Sequence, residues 1–255
     1  MNLKKGDLVT RNSYNNDIIF KIINIKDGVC YLKGVEERLY ANSEEDDLVI
    51  YENYIENTNF EEVGNICERS DYFYIIPKIL HIDGDEEYLN RCLKYYKKLG
   101  IYAIGKKIKE ENVHEQLFQL LETYKPEIVI ITGHDAYYKK KGSSEDLRNY
   151  KNSKNFIKAI KVARQYERSH EKLVVIAGAC QSYYEELIKA GANFASSPKR
   201  VNIHALDPAI IASTIAFTEK NKEIDLIEML EKTKYGKDGL GGLYTMGLMH
   251  VGYPR

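Results

Sequence analysis

The chain has no tryptophan, only 5 prolines in 255 residues, and 4 cysteines that form no Cys-x-x-Cys pair. Cys30, Cys67, Cys92 and Cys180 are scattered. That spacing argues against a disulfide framework and a zinc site, and it fits a reducing compartment. There is no excess of charge of one sign. The formal net charge of -1 gives nucleic acid and membrane surfaces no bulk electrostatic attraction. Long apolar runs are also missing, and a bilayer crossing needs roughly 20 such residues. The opening Met1-Asn2-Leu3-Lys4-Lys5-Gly6-Asp7-Leu8 turns polar almost at once, unlike a secretory signal. The expectation is a cytoplasmic protein without a membrane partner and with nucleic acid disfavoured.

With 44% hydrophobic residues, the chain can bury either one large core or a medium core beside a small one. Residues 1–52 carry short strand candidates over 6–9, 18–25, 28–32 and 47–51, separated by turn signals at Asn15-Asn16-Asp17 and Lys26-Asp27-Gly28. They are expected to form a small SH3-like β-barrel, serving as a docking or scaffold module rather than a nucleic-acid binder. Residues 53–70 are acidic and weakly periodic, and read as a linker.

From residue 71 to 255 the pattern changes to alternating strands and helices. Strand-like stretches fall over 72–82, 101–104, 127–132, 172–178 and 200–206. Helical periodicity covers 85–99, 113–124, 155–166 and 183–190, and Pro208 opens a further helix reaching residue 218. Five parallel strands with crossover helices imply an α/β doubly wound, mostly parallel sheet flanked by helices.

Two of these strands end in a residue suited to catalysis. One is Glu127-Ile128-Val129-Ile130-Ile131-Thr132-Gly133-His134-Asp135, and the other is Lys172-Leu173-Val174-Val175-Ile176-Ala177-Gly178-Ala179-Cys180. Apolar β-branched runs of this kind belong to strands buried on both faces, and parallel sheets collect function at the carboxyl ends of their strands. A histidine and a cysteine delivered there are suited to be a thiol nucleophile and its proton partner. Cys180 also precedes a helix start, which favours thiolate and predicts an exposed, reactive site. Cys30 and Cys92 have ordinary places within a strand and a helix.

The order of a strand ending in Gly133-His134, a helix, and a strand ending in Ala179-Cys180 resembles the caspase-like peptidases, the clan of legumain, gingipain, clostripain and separase. Within that clan, Thr132-Gly133-His134-Asp135-Ala136, Gly178-Ala179-Cys180-Gln181-Ser182, His81-Ile82-Asp83-Gly84-Asp85 and the N-terminal barrel are similar to the YabG family of sporulation-specific proteases, over nearly the whole chain. The resemblance implies a caspase-like fold and a cysteine endopeptidase with His134 and Cys180 as its dyad. It places the oxyanion against the backbone of Gly133, Asp135 and Cys180, and calls for no metal or other cofactor. Many clan members have glycine after the histidine where this chain has Asp135; the amide keeps its donor role.

The resemblance further implies cleavage after basic residues, Arg preferred. A guanidinium pocket calls for a carboxylate. Asp207 is the first candidate, although Asp before Pro208 is also a helix cap, and Asp83 and Asp85 are the others. The implied substrates are spore coat and cortex-associated proteins, met in the mother-cell cytoplasm and at the spore coat. Self-processing is expected near Lys139-Lys140-Lys141-Gly142, with Arg148, or at Lys199-Arg200.

A different class is a non-catalytic or redox-sensing protein with a reactive Cys180, whose barrel binds a partner or nucleic acid. Gly236-Lys237-Asp238-Gly239-Leu240-Gly241-Gly242 follows a helical stretch rather than a strand, so it reads as a mobile or substrate-lining loop, not a nucleotide cradle. His204 reads as a packed strand histidine.

Overall fold

The computed structural model describes residues 3–52, 54 and 71–254. The expected linker, apart from residue 54, lies outside the described residues, and so do Cys67 and Arg255. The chain divides into two compact units, Met1–Phe60 and Glu61–Arg255.

The first unit is one antiparallel sheet of β1 (Leu8–Arg11), β2 (Phe20–Lys26), β3 (Val29–Gly34), β4 (Tyr40–Glu44) and β5 (Leu48–Ile50), in the order β4-β3-β2-β1-β5. Val9, Phe20, Ile22, Cys30, Leu32 and Leu48 form its buried core. Strand β4 escapes notice in the sequence because Tyr40-Ala41-Asn42-Ser43-Glu44 is an edge strand without apolar alternation.

In the second unit, β7 (Ile79–Asp83), α1 (Glu86–Lys98), β8 (Ala103–Lys107), α2 (Val113–Tyr124), β9 (Ile128–Thr132), α3 (Ser153–Tyr166), β10 (Val174–Ala177), α4 (Tyr184–Lys189) and β11 (Phe194–Ser196) alternate. They are followed by α5 (Asp207–Phe217), α6 (Leu226–Glu231), α7 (Gly236–Gly239) and β12 (Leu240–Gly242). The sheet runs β12-β11-β10-β9-β7-β8, with five parallel strands and β12 antiparallel at the edge. Every residue of β7, β9 and β10 is buried. Helices α2 and α3 pack over this sheet through Leu117, Leu121, Phe156 and Ile160.

Three expectations change. The run over 72–82 is two strands: β6 (Phe73–Ile75) pairs with β13 (His250–Gly252) in a separate ribbon, and β7 begins only after Pro77. The fifth parallel strand is Phe194–Ser196, not residues 200–206, where Arg200 has φ 56° and breaks extension. The glycine-rich stretch is not an open loop but α7 and β12. A Cβ on Gly242 would overlap Phe194, and one on Gly241 would stand 2.8 Å from the Tyr184 hydroxyl, so glycine lets the edge strand close on β11.

The chain leaves β7 for β8 on one side and then returns past β7 to β9 on the other. The carboxyl ends of β7 and β9 thus flank the point where strand order reverses, the usual location of a site in such sheets.

Candidate active site

Sheet register sets the positions of the candidates. The last β7–β9 rung is Asp83↔Thr132, and Asp85 and His134 each lie two residues beyond it. The last β9–β10 rung is Ile131↔Ala177, and His134 and Cys180 each lie three residues beyond it. Three neighbouring strands therefore present Asp85, His134 and Cys180 along one edge of the sheet.

The His134 imidazole lies between two carboxylates. Glu110 Oε1 is 3.7 Å from Nδ1, and Asp85 Oδ2 is 3.9 Å from Nε2. Glu110 Oε1 also accepts the His134 N–H at 2.6 Å, while Asn152 Nδ2 donates to the His134 carbonyl at 2.8 Å. The side chain is 12% exposed, and the Tyr88 ring lies 5.8 Å from its centroid. An imidazole bearing both protons has a carboxylate facing each nitrogen. That is a fitting arrangement for a proton donor.

Glu110 is absent from the sequence-based expectations. It follows β8 in Lys109-Glu110-Glu111-Asn112, which reads as the acidic first turn of α2. Its carboxylate is seated against Gly84 and Gly133: a Cβ on Gly84 would come within 2.5 Å of Oε1, and one on Gly133 would overlap it. Burial raises the Glu110 pKa, but the His134 imidazole beside it and the hydrogen bond from the His134 amide outweigh it and hold the group below its ordinary value.

Cys180 is in the turn after β10, but it is fully buried, not exposed as expected. The Ile203 N–H donates to Sγ at 3.2 Å, and the Ile203 carbonyl lies 3.8 Å from Sγ, so the stretch between β11 and α5 covers the sulfur. Gln181, next in the chain, holds φ 58°, a costly conformation for a residue with a side chain, and α4 begins at Tyr184.

The oxyanion candidates differ. The amides of Gly133 and Asp135 meet no acceptor among the described residues, whereas that of His134 is taken by Glu110. The Asp135 side chain is buried and hydrogen-bonded within the fold.

Of the three pocket candidates, Asp83 is fully buried, with Oδ2 accepting Thr132 Oγ1 at 2.8 Å and Oδ1 accepting the Asp85 N–H at 2.8 Å. Asp85 caps α1, accepting the N–H groups of Glu87 at 3.0 Å and Tyr88 at 3.4 Å. Asp207 accepts the His204 N–H at 2.9 Å and the Lys234 N–H at 3.1 Å. His204 is not on a strand; its Nδ1 accepts the Leu206 N–H at 3.2 Å in the turn leading to α5.

The two suggested self-cleavage stretches also separate. Lys139–Lys141 form an exposed turn, but Arg200 is held in place. Its guanidinium lies 5.1 Å from the Tyr183 ring centroid, donates to Tyr150 Oη at 2.7 Å and pairs with Glu185 Oε2 at 2.5 Å. Among the described residues, no cluster of three or more His, Cys, Asp and Glu side chains is placed to hold a metal ion, and no helix is long and apolar enough to cross a membrane.

Comparison with known proteins decides the family. A family model described as YabG peptidase U57 matches residues 4–65 and 57–254. The chain belongs to the YabG peptidase family. A curated relative, the sporulation-specific protease YabG of Bacillus subtilis (strain 168), is 39% identical over 286 aligned residues, covering 100% of this chain and 99% of the relative. The YabG match takes in both compact units, the antiparallel sheet as well as the α/β unit.

Proposed function

We propose that this YabG-family protein is a cysteine endopeptidase with Cys180 as nucleophile and His134 as proton donor, cutting after basic residues with Arg preferred. The observation that carries the reading is the equal offset of His134 and Cys180 beyond one β9–β10 rung, with His134 between Glu110 and Asp85. The strand order, with its antiparallel edge strand, supports a caspase-like sheet, and the five-stranded antiparallel unit supports an SH3-like docking module for a scaffold or peptide.

In this reading the Cys180 thiolate attacks the scissile carbonyl. The amides of Gly133, Asp135 and Cys180 take the oxyanion, His134 gives its proton to the leaving amine, and water releases the acyl group. Glu110 and Asp85 keep the imidazole oriented throughout. The stretch at Ile203 has to draw back from the sulfur for a substrate to enter. That movement carries His204 away from Asp207, which favours Asp207 over Asp83, whose carboxylate is tied to Thr132 and the Asp85 N–H, and over the His134-facing Asp85. The family resemblance implies spore coat and cortex-associated proteins as substrates, met in the mother-cell cytoplasm and at the coat. Self-processing falls in the exposed Lys139–Lys141 turn rather than at Arg200.

The full burial of Cys180 favours one second reading, a protease whose nucleophile is another residue. Hydrolysis of a fluorogenic peptide with Arg before the scissile bond separates the two, with wild type, Cys180→Ala and His134→Ala compared at equal folded concentration. Activity abolished by both substitutions is the expected result, together with fragments ending at residues 139–141 in wild-type protein alone. Cleavage that survives Cys180→Ala overturns the dyad.

A further inference from the structure

Asp135 follows His134 in the chain, and the residue is only 4% exposed. Its Oδ1 accepts the N–H groups of Ala136 at 2.9 Å and Asn152 at 2.7 Å. Its Oδ2 accepts two hydroxyls, Ser153 Oγ at 2.5 Å and Ser182 Oγ at 3.0 Å. Each hydroxyl extends the connection: Ser182 Oγ accepts the Ala179 N–H at 2.9 Å, and Ser153 Oγ accepts the Tyr183 N–H at 2.8 Å. Ala179 and Tyr183 lie on either side of Cys180. Asn152, whose own N–H binds Asp135, donates from its side chain to the His134 carbonyl. A single carboxylate is thus linked to both flanks of Cys180 and to the backbone of His134.

We infer that Asp135, with Ser153 and Ser182, is a positioning clamp that sets the Cys180 turn against the His134 turn, a role distinct from any use of the Asp135 amide. The inference rests on the Cys-His reading above. Four donors converge on this side chain, and a carboxylate has acceptor sites for all of them, whereas an asparagine replaces one acceptor atom with a donor. Burial pushes the Asp135 carboxyl up while the four hydrogen bonds oppose the shift, so this charge is costly to bury and its return is geometric order. The turn it holds includes Gln181 at φ 58°, which relaxes unless its surroundings fix it.

Asp135→Asn, which keeps size and the Oδ1 acceptor, and Ser182→Ala, which removes one hydroxyl, are the test variants. Three quantities are measured: kcat and KM on the Arg peptide, the melting temperature, and the pH dependence of Cys180 alkylation by iodoacetamide, read on the Cys180 peptide by mass spectrometry. A clamp predicts kcat down about tenfold or more with KM within about twofold, because misplacement of reacting groups costs rate before binding. It also predicts an alkylation midpoint that moves in the same direction as in His134→Ala, with melting retained. The double variant is no worse than Asp135→Asn, since both changes cut one path.

If His134→Ala moves the midpoint and both clamp variants leave it at the wild-type value, the clamp is wrong and the dyad stands. If His134→Ala itself leaves the midpoint unchanged, the dyad falls and the clamp with it. Activity lost only in proportion to unfolded protein makes these residues structural and overturns the inference. Should Asp135→Asn fail to fold, Ser182→Ala carries the test, because it leaves the other three bonds to the carboxylate intact.

Discussion

Two histidines on adjacent strands of the same sheet show how surroundings divide structural from chemical roles. His81 in β7 is fully buried: Nδ1 lies 3.0 Å from the Tyr96 hydroxyl, Nε2 lies 3.1 Å from Thr132 Oγ1 and 3.9 Å from Asp83 Oδ2, and its ladder partner is Ile130. His134, two residues past the end of β9, retains some exposure and faces Glu110 and Asp85. A hydroxyl within hydrogen-bond reach of each ring nitrogen makes His81 a strut joining α1 to β9. Carboxylates only accept, and His134 has one facing each ring nitrogen where His81 has one facing Nε2 alone. Residue type is the same in both places; the atoms around the ring assign the role.

Exchanging the two histidines for alanine gives the largest expected contrast. His134→Ala lowers kcat by roughly 10²–10⁴-fold, the range of general acid–base catalysis, and leaves thermal unfolding near wild type. His81→Ala does the opposite. It opens a buried cavity and removes the ring between the Tyr96 and Thr132 hydroxyls, costing about 2–4 kcal/mol of stability, while each molecule that remains folded keeps its kcat. Calorimetry with active-site-normalised kinetics checks both. Catalysis lost in folded His81→Ala would erase the distinction.

Glu110 sharpens the comparison at an intermediate scale. Glu110→Gln keeps an oxygen for the His134 N–H but removes the charge facing Nδ1. On the proposed dyad it should lower kcat by about 10–100-fold with KM nearly unchanged, since the His134 ring loses an orienting partner. Steady-state kinetics on the Arg peptide provides the measurement, and an unaltered kcat would reduce Glu110 to a backbone brace.

The parts of this molecule that were readable from sequence are those where one periodicity runs without interruption. Helix α2 lies over Val113–Tyr124 as its apolar spacing predicts, and β9 and β10 are visible because strands buried on both faces need continuous Ile and Val. Strand β11 is hard to see because Phe194-Ala195-Ser196 is short and lacks β-branched residues, while Val201 and Ile203 imitate a strand in a stretch that turns at Arg200. At the site, His134 and Cys180 are legible as the ends of strands. Glu110, Asn152, Ser153 and Ser182 are not, because ordinary helix-start and turn residues gain their roles only through contacts across 17 to 47 positions of chain. The cover over Cys180 is hidden for the same reason, since it is made by the backbone of Ile203.

The smallest expected effect lies in the pH dependence of stability, where Glu110 and Asp135 should have opposite signs. Glu110 is held below its ordinary value of 4.5, so its contribution is fully present above that pH and is lost as pH falls through the folded-state value. The stability gap between wild type and Glu110→Gln therefore narrows on acidification. Asp135 is raised above its ordinary value of 3.8 by burial, so the folded state holds its proton more tightly than the unfolded chain. Stability from Asp135 falls as pH rises from that value through the folded one, and Asp135→Asn gains on wild type over the same interval. Thermal melts of the three proteins between about pH 3 and about pH 7 resolve the two slopes, since this range brackets the ordinary values of both carboxyls. Parallel slopes would mean that both carboxylates are governed by burial alone, and that the His134 contacts of Glu110 lack the strength assigned to them here.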